Sequence, residues 1–251
     1  GPHIDQYDVF IIQGMGSRRW RVGDKLPMRQ FCPHPALLHV DPFPPIIDED
    51  LQPGDILYIP PGFPHDGITH ETALNYSVGF RGPNGRDLIS SFADYVLEND
   101  LGGEHYSDPD LTCREHPGRV EEYELERLRG MMIDMIRQPE DFKQWFGSFV
   151  TTPRHELDIA PAEPPYEEEE VVDALLGGEK LSRLSGLRVL HIGDSFFVHS
   201  EQLDTTDAEA LDALCRYTSL GQEELGSGLQ NPAFVSELTR LINQGYWYFE
   251  E

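Results

Sequence analysis

The sequence lacks the features that define several classes of protein. It contains no run of about 18 apolar residues, so we expect no membrane-spanning helix. Only three cysteines occur among 251 residues, and no two of them form a C-x-x-C pair. This pattern argues against a disulfide framework and a cysteine zinc site, and it favours a reducing, cytoplasmic location. A P-loop, a G-x-G-x-x-G motif and a nucleophile elbow are also absent, so nothing in the sequence indicates nucleotide binding or serine hydrolysis.

Basic residues are scarce. The chain has 19 Lys and Arg against 45 Asp and Glu, which gives a formal net charge of -26 at pH 7. Such a surface repels phosphate backbones, so we predict a basic protein partner and no direct contact with nucleic acid or membrane. The imbalance grows along the chain, from -3 over residues 1–86 to -8 over residues 87–154 and -15 over residues 155–251. We therefore predict three domains with these boundaries.

The first predicted domain has the pattern of an antiparallel β-sandwich or barrel. Short β-branched and aromatic runs alternate with Gly, Pro and Asp, as in strands separated by turns. The predicted strands are residues 7–13, 18–23, 55–60 and 73–80. No long helical period interrupts them, so βαβ units are not expected.

The second predicted domain is helical, with helices over residues 88–99 and 120–137. The second helix carries an apolar stripe, formed by Leu125, Leu128, Met132 and Met135. We interpret this stripe as ordinary core; the alternative is an interface between two subunits, which methionine suits.

The third predicted domain is a small α+β unit that follows a Pro- and Glu-rich linker over residues 159–170. Its predicted helices lie near residues 168–176, 207–217 and 232–243, and its predicted strands near residues 187–193 and 195–199. The aromatic tail, residues 246–249, is expected to close this unit.

Two short motifs predict a metal site. His3 and Asp5 are two residues apart, so in a strand both point to one face and can bind one metal ion. Much later, a strand runs into the stiff turn Pro60-Pro61-Gly62, which places His65 at its end. Two imidazoles and one carboxylate form the facial triad of non-haem Fe(II) oxygenases, which leaves other coordination positions open for a cosubstrate and O₂.

Arg18 is the candidate for binding an anion. In the strand over residues 18–23, Arg18 shares a face with Trp20 and Val22, while Arg19 and Arg21 share the other face. If the Trp20 face is interior, Arg18 is aimed into an apolar barrel, where it needs a carboxylate partner such as that of 2-oxoglutarate. The opposite assignment, with Arg19 and Arg21 inward, stays open at this point.

The strand over residues 73–80 offers Asn75 and Ser77 on one face as further hydrogen-bonding groups for the site. A solvated outer face explains the same pattern equally well.

Beyond these single motifs, longer stretches carry a family resemblance. Gly54 to His65 matches the second cupin signature, G-x5-P-x-G-x2-H, and an H-x-D motif followed by this histidine resembles the JmjC class of 2-oxoglutarate oxygenases. The stretches PHIDQYDVFIIQGMGSRRWRVGDK, DPFPPIIDEDLQPGDILYIPPGFPHDG, NYSVGFRGPN and FKQWFGSFVTTPRHELDIAPAEPPY resemble the bacterial ribosomal oxygenases. The resemblance extends over essentially the whole chain.

The resemblance implies a fold and a role for each site residue. The fold would be a JmjC double-stranded β-helix, a helical dimerisation region and an acidic winged-helix domain. His3, Asp5 and His65 would bind Fe(II), Arg18 would bind 2-oxoglutarate, and Asn75 would lie close to it. The family has several strands before its H-x-D motif that this chain lacks, and the chain begins with Gly1, so we expect a fragment whose β-helix is incomplete at its N-terminal end.

The resemblance also implies a function. Fe(II), 2-oxoglutarate and O₂ would serve to hydroxylate an arginine side chain of a basic large-subunit ribosomal protein, with release of succinate and CO₂, in a homodimeric enzyme. Two alternatives remain open: a ribosomal oxygenase that acts on histidine, and a cupin-like metal-binding module without oxygenase activity.

Overall fold

The computed structural model describes residues 1–34, 37–116, 118–204 and 207–250, and for residues 32–34, 37 and 38 it describes the backbone only. The chain divides into two compact units, Gly1–Leu88 and Ile89–Glu251. The three-domain division stays a prediction. No helix within the described residues has the length and apolar character needed to cross a membrane.

Short strands dominate the first unit. The described residues form β1 (His3–Ile4), β2 (Asp8–Met15), β3 (Arg18–Gly23), β4 (Gln30–His34), β5 (Leu37–Val40), β6 (Pro45–Leu51), β7 (Ile56–Ile59), β8 (Pro64–Ile68) and β9 (Leu74–Phe80). Helix α1 (Gly85–Glu98) begins at the end of this unit.

The strands form two antiparallel sheets. One has the order β4-β5-β1-β8-β3-β6 and the other the order β7-β2-β9. Alternate residues of β2, β3 and β7 point into a shared apolar core, formed by Val9, Ile11, Trp20, Val22, Leu57 and Ile59. The predicted double-stranded arrangement is therefore confirmed.

Sequence patterns located β2, β3, β7 and β9 and did not locate the other five described strands. The strand β6 was missed because its sequence, PIIDEDL, does not alternate between apolar and polar residues. The strand β8 was missed because it follows the Pro-Gly turn directly, and we interpreted His65 as the end of that turn.

The second unit contains mixed helices and strands. Its helices are α2 (Glu122–Arg137), α3 (Pro139–Thr151), α4 (Glu168–Leu176), α5 (Ala208–Arg216), α6 (Gln222–Leu225), a 3-10 helix (Gly226–Gln230) and α7 (Pro232–Asn243). Its strands are β10 (Leu181–Arg183), β11 (Val189–Ile192), β12 (Ser195–Val198), β13 (Glu201–Gln202), β14 (Ser219–Leu220) and β15 (Trp247–Phe249). They pair in the orders β14-β10-β15 and β11-β12-β13.

The aromatic tail closes the second unit, as predicted. Its last three residues form β15, which pairs with β10 in the register Arg183↔Trp247. Trp247 is fully buried together with Leu214, Phe234 and Leu238 in the core of this unit. Burying one large aromatic side chain stabilises a fold by roughly 1.5–3 kcal/mol, so the C-terminal residues belong to the fold.

Helix α2 differs from its neighbours because none of its residues is buried. Leu125, Leu128 and Met132 are 45%, 46% and 65% exposed, so our interpretation of these residues as core is wrong. The helix begins with a capping box between Glu121 and Glu124, which provides hydrogen-bonding partners at its first turn. An apolar stripe on a well-formed surface helix is what the alternative interpretation, a subunit interface, requires.

Candidate metal centre

His3, Asp5 and His65 lie together in the first unit. The strands β1 and β8 pair with His3 directly opposite His65, and the two rings are 4.2 Å apart between centroids. The Nε2 atom of His65 is 3.4 Å from Oδ2 of Asp5. One possible ligand atom from each of the three residues lies within 4.8 Å of the others. In the part of the chain that the structure describes, this is the one group of three or more such side chains.

Backbone contacts hold the two motifs against each other. The N–H of Gly62 donates to the carbonyl oxygen of Asp5 at 2.8 Å, which ties the Pro-Gly turn to the end of β1. Gly62 has φ +83°, a conformation that glycine adopts at little cost. The turn therefore sets the position of His65 relative to the H-x-D motif.

Both imidazole rings are oriented by backbone carbonyl groups. Nδ1 of His3 is 3.0 Å from the oxygen of Gly1, and Nδ1 of His65 is 3.0 Å from the oxygen of Phe63. A carbonyl oxygen only accepts hydrogen bonds, so in the neutral ring each Nδ1 carries the hydrogen. The Nε2 atom then keeps its lone pair, which is the state that a metal-binding histidine needs.

The ionisation of the site also suits a cation. Burial lowers the pKa of His3, because the charged imidazolium loses contact with water. The contact with the His65 side chain lowers the pKa of Asp5. Near neutral pH the site therefore offers a carboxylate and a neutral His3, the forms that bind a divalent transition metal.

The direction of the β3 side chains agrees with our first assignment. Trp20 and Val22 are 5% and 2% exposed, so their face is interior, and Arg18 shares it. On the other face, Arg19 binds Asp48 and Arg21 binds Asp66 through two hydrogen bonds each. The alternative, with Arg19 and Arg21 inward, is wrong.

The guanidinium of Arg18 is held by two hydrogen bonds, and one of its N–H groups has no partner among the described atoms. Its Nη1 donates to Oδ1 of Asn75 at 2.5 Å, and its Nη2 donates to the oxygen of Gly67 at 3.3 Å. A Cβ atom at residue 67 would lie 2.7 Å from Nε of Arg18, so a side chain there would displace the guanidinium. The Nε atom is buried and has no partner among the described atoms. A buried, unpaired guanidinium N–H is the group that binds a carboxylate.

Asn75 is part of this arrangement through its bond to Arg18, so a purely solvated role is wrong for Asn75. Ser77, the other candidate on β9, is exposed. Gln13 is a further polar residue of this interior that the sequence patterns did not indicate. It is 1% exposed and lies opposite Asn75 in the sheet. Its Nε2 donates to the oxygens of Met15 and Gly16, which fixes the turn before Arg18. The available signal was its position, two residues after Ile11 on the buried face of β2.

Comparison with known proteins gives the same assignment along the whole chain. Residues 1–88 match the family described as JmjC domain, and residues 134–248 match the one described as ROXA-like winged helix. The chain is 61% identical over 250 residues to the ribosomal protein uL16 3-hydroxylase of Escherichia coli, covering all of this chain and 67% of that protein. It is 28% identical over 244 residues to a probable ribosomal oxygenase of Haemophilus influenzae, covering 88% and 58%.

Solved structures agree with the sequence comparison. The E. coli ribosomal oxygenase YcfD in complex with cobalt and 2-oxoglutarate has a TM-score of 0.92 and 58% identity, over all of this chain and 66% of that one. A further E. coli YcfD structure has a TM-score of 0.95 and 61% identity, over all of this chain and 67% of that one. The chain thus spans about two thirds of the length of these relatives.

The donor set in the first unit fits the chemistry of such proteins. Two histidines and one carboxylate suit a divalent iron-type metal, and the buried, unpaired Nε of Arg18 suits a carboxylate-bearing cosubstrate. Because the likeness extends over the entire chain at 61% identity, the resemblance that the motifs indicated is confirmed, and the chain belongs to the JmjC ribosomal oxygenases.

Proposed function

We propose that this chain is the metal-binding and winged-helix portion of an Fe(II)- and 2-oxoglutarate-dependent protein hydroxylase that acts on an arginine side chain of ribosomal protein uL16. The observation that carries the proposal is the convergence of His3, Asp5 and His65, with both Nδ1 atoms bonded to carbonyl groups. The E. coli relative named as a uL16 3-hydroxylase supports this choice of substrate.

Each residue has a defined task in this proposal. The Nε2 atoms of His3 and His65 and the carboxylate of Asp5 hold the metal. Bound iron, with 2-oxoglutarate and O₂, supplies the oxidation of an unactivated C–H bond, with succinate and CO₂ as co-products. Arg18 binds the distal carboxylate of 2-oxoglutarate through its free N–H, and Asn75 keeps the guanidinium in place by accepting from Nη1.

The charge of the chain favours a basic protein substrate. With a net charge of -26, the surface attracts a cationic partner over distances up to about one Debye length and repels free nucleic acid. Such attraction raises the rate of association more than it raises the final affinity. A ribosomal protein that is not yet bound to ribosomal RNA, and therefore still exposes its basic residues, would be such a cationic partner.

Mass spectrometry of the product tests the activity. Purified uL16 is incubated with the chain, Fe(II), 2-oxoglutarate and O₂, and we expect a gain of about 16 Da, the mass of one oxygen atom, on one arginine-containing peptide. His3→Ala should abolish the gain because it removes a metal ligand. His39→Ala is the matched control: His39 lies opposite His3 on β5 but is outside the ligand group, so this variant should keep the activity.

The result also separates the alternatives. Oxygen added to a histidine instead of an arginine would favour the histidine-modifying class. Binding of metal without any oxidised product would favour a metal-binding module that is not an oxygenase.

We further propose that the enzyme is a cytoplasmic homodimer that pairs through α2. The exposed apolar side chains Leu125, Leu128, Met132 and Ile136 support this, because such a stripe is otherwise unfavourable in water. Leu128→Glu should convert the dimer to a monomer in sedimentation experiments. Leu176→Glu, which changes another exposed leucine outside α2, should leave the dimer intact. A wild-type chain that sediments as a monomer would contradict the proposal.

A further inference from the structure

Two buried N–H donors on the inner face of β3 have no acceptor among the described atoms. They are Nε of Arg18 and Nε1 of Trp20. Because residues 18 and 20 are two apart in one strand, both side chains project to the same side. A buried donor without a partner is unfavourable, so two of them side by side indicate a missing acceptor.

The position of Trp20 places it beside the path of a dicarboxylate cosubstrate. Its ring centroid is 4.7 Å from Cζ of Arg18 and 6.3 Å from the ring of His65. The indole ring is therefore close to both residues that such a molecule would reach, His65 through the metal at one end and Arg18 at the other. A carboxylate has two oxygens and can accept from both free donors at once.

The other two tryptophans show why the free N–H alone would not be sufficient. Trp145 donates its N–H to Oγ of Ser91 at 3.0 Å, so its donor is satisfied. Trp247 also has an unpaired buried N–H, but it lies in the apolar core of the second unit, and no guanidinium stacks on it among the described contacts. Within the described part of the chain, Trp20 is the one tryptophan that combines an unpaired N–H with a neighbouring guanidinium whose own Nε is unpaired.

A third unpaired atom in this interior, Oε1 of Gln13, is an acceptor and cannot bond to a carboxylate. Its amide instead holds the turn between β2 and β3, through its two bonds to Met15 and Gly16. The two donors in this interior that lack an acceptor are thus Nε of Arg18 and Nε1 of Trp20.

We propose that the indole N–H of Trp20 is a second donor to the distal carboxylate of the cosubstrate, alongside Arg18. This rests on the proposed function, since it takes the ligand to be 2-oxoglutarate. Trp20 would then help to select a ligand with a second carboxylate over a monocarboxylic 2-oxo acid.

Ligand binding to Trp20→Phe tests this directly, because phenylalanine keeps an aromatic ring and removes the N–H. The ligands are 2-oxoglutarate and 2-oxovalerate, which has the same chain length without the distal carboxylate, titrated anaerobically with Fe(II). Hydrogen bonds to charged groups are strong, so 2-oxoglutarate should bind roughly tenfold more weakly to Trp20→Phe. The affinity for 2-oxovalerate and for Fe(II) alone should change less than about twofold, since neither uses the indole N–H.

Trp247→Phe is the matched control, since it removes an equally unpaired indole N–H far along the chain and should leave both ligand affinities unchanged. Equal weakening of both ligands by Trp20→Phe would overturn the proposal and indicate a packing role. Unchanged binding of 2-oxoglutarate would overturn it too. A wild-type chain that binds neither ligand would instead refute the proposed function, and this inference with it.

A second measurement needs no change at Trp20. The chain has three tryptophans and so gives three indole N–H signals in a ¹H–¹⁵N spectrum, which Trp145→Phe and Trp247→Phe assign. Addition of 2-oxoglutarate in the presence of Zn(II) should move the Trp20 proton downfield, as expected for a new hydrogen bond to a carboxylate. A Trp20 signal that stays in place while 2-oxoglutarate binds would overturn the proposal.

Discussion

The interior of the first unit is small and partly polar, whereas that of the second unit is large and apolar. Among the residues that the structure describes, six buried apolar residues form the core of the first unit, against twenty in the second. The buried polar side chains differ as well. In the first unit they are Gln13, His65 and Asp66; in the second they are Thr151, Ser195 and Thr239.

The difference indicates that the metal-ligand group and the larger apolar core, which contributes most to stability, lie in different units of one chain. In the second unit the hydroxyl of Thr151 donates to the carbonyl oxygen of Gly147 at 2.7 Å, and one such partner is enough to bury a hydroxyl group at low cost. Imidazole, carboxylate and guanidinium groups cost more to bury and need specific partners. In the first unit, His65 belongs to the metal-ligand group, and the buried carboxylate of Asp66 is bound by Arg21. The first unit is also the shorter of the two, which agrees with its smaller apolar core.

The largest expected effect on stability comes from the second unit. Phe234 is fully buried, so Phe234→Ala should lower the free energy of unfolding by about 3–5 kcal/mol. Chemical denaturation would measure this. Phe80→Ala is the control in the first unit: Phe80 is 59% exposed, and its loss should change stability by less than about 0.5 kcal/mol. If Phe234→Ala weakened metal binding in the folded protein, the proposed separation would be wrong.

An intermediate effect is expected from Arg18, and it should appear in cosubstrate binding. Arg18→Lys keeps the charge but loses the planar guanidinium and its Nε donor, so 2-oxoglutarate binding should weaken by about 1.5–3 kcal/mol. KM for 2-oxoglutarate should therefore rise more than kcat falls. Arg19→Lys, on the outer face of the same strand, should leave KM unchanged. Equal KM values for the two variants would refute the interior role of Arg18.

The smallest effect concerns a surface pair in the second unit and its dependence on pH. Hydrogen bonds from Arg114 lower the pKa of Glu124 from 4.5 to about 2. A lowered pKa means that the pair stabilises the fold above pH 4.5 and that this contribution is lost as the pH falls towards 2. Glu124→Gln should thus be less stable than the wild type at pH 7, and the difference should shrink between pH 4.5 and 2.

Chemical denaturation across this pH range would show the effect of Glu124. Glu122→Gln, in the same turn of α2 and without an ion pair among the described contacts, is the control and should show no such trend. A difference between Glu124→Gln and the wild type that stays constant down to pH 2 would contradict the assignment of the pair.

Much of the site could be predicted from the sequence because the relevant signals are local. The spacing of His3 and Asp5, the stiff turn before His65 and the alternation around Arg18 each depend on a few adjacent residues. Gln13 and the interior role of Asn75 could not be assigned in this way. Their role depends on which strand lies opposite, and Gln13 and Asn75 are neighbours only through the pairing of β2 with β9.

The helical region illustrates the same limit. The apolar spacing of Leu125, Leu128 and Met132 predicted a helix correctly, since periodicity reports the local conformation. It did not predict what covers the stripe, because burial depends on what packs against the helix. The structure leaves these side chains exposed.

The order of residues by itself determined the strands with regular alternation, the main helices, the acidic character and the identity of the two histidines and the carboxylate. Only the tertiary structure decided that His3 and His65 face each other and that Asn75 accepts a hydrogen bond from Arg18. It also decided that the N–H of Trp20, next to Arg18, has no partner among the described atoms. The reason is physical. Side-chain direction within a strand repeats every two residues and is visible in the sequence, whereas contacts between strands depend on pairing and register across residues far apart in the chain.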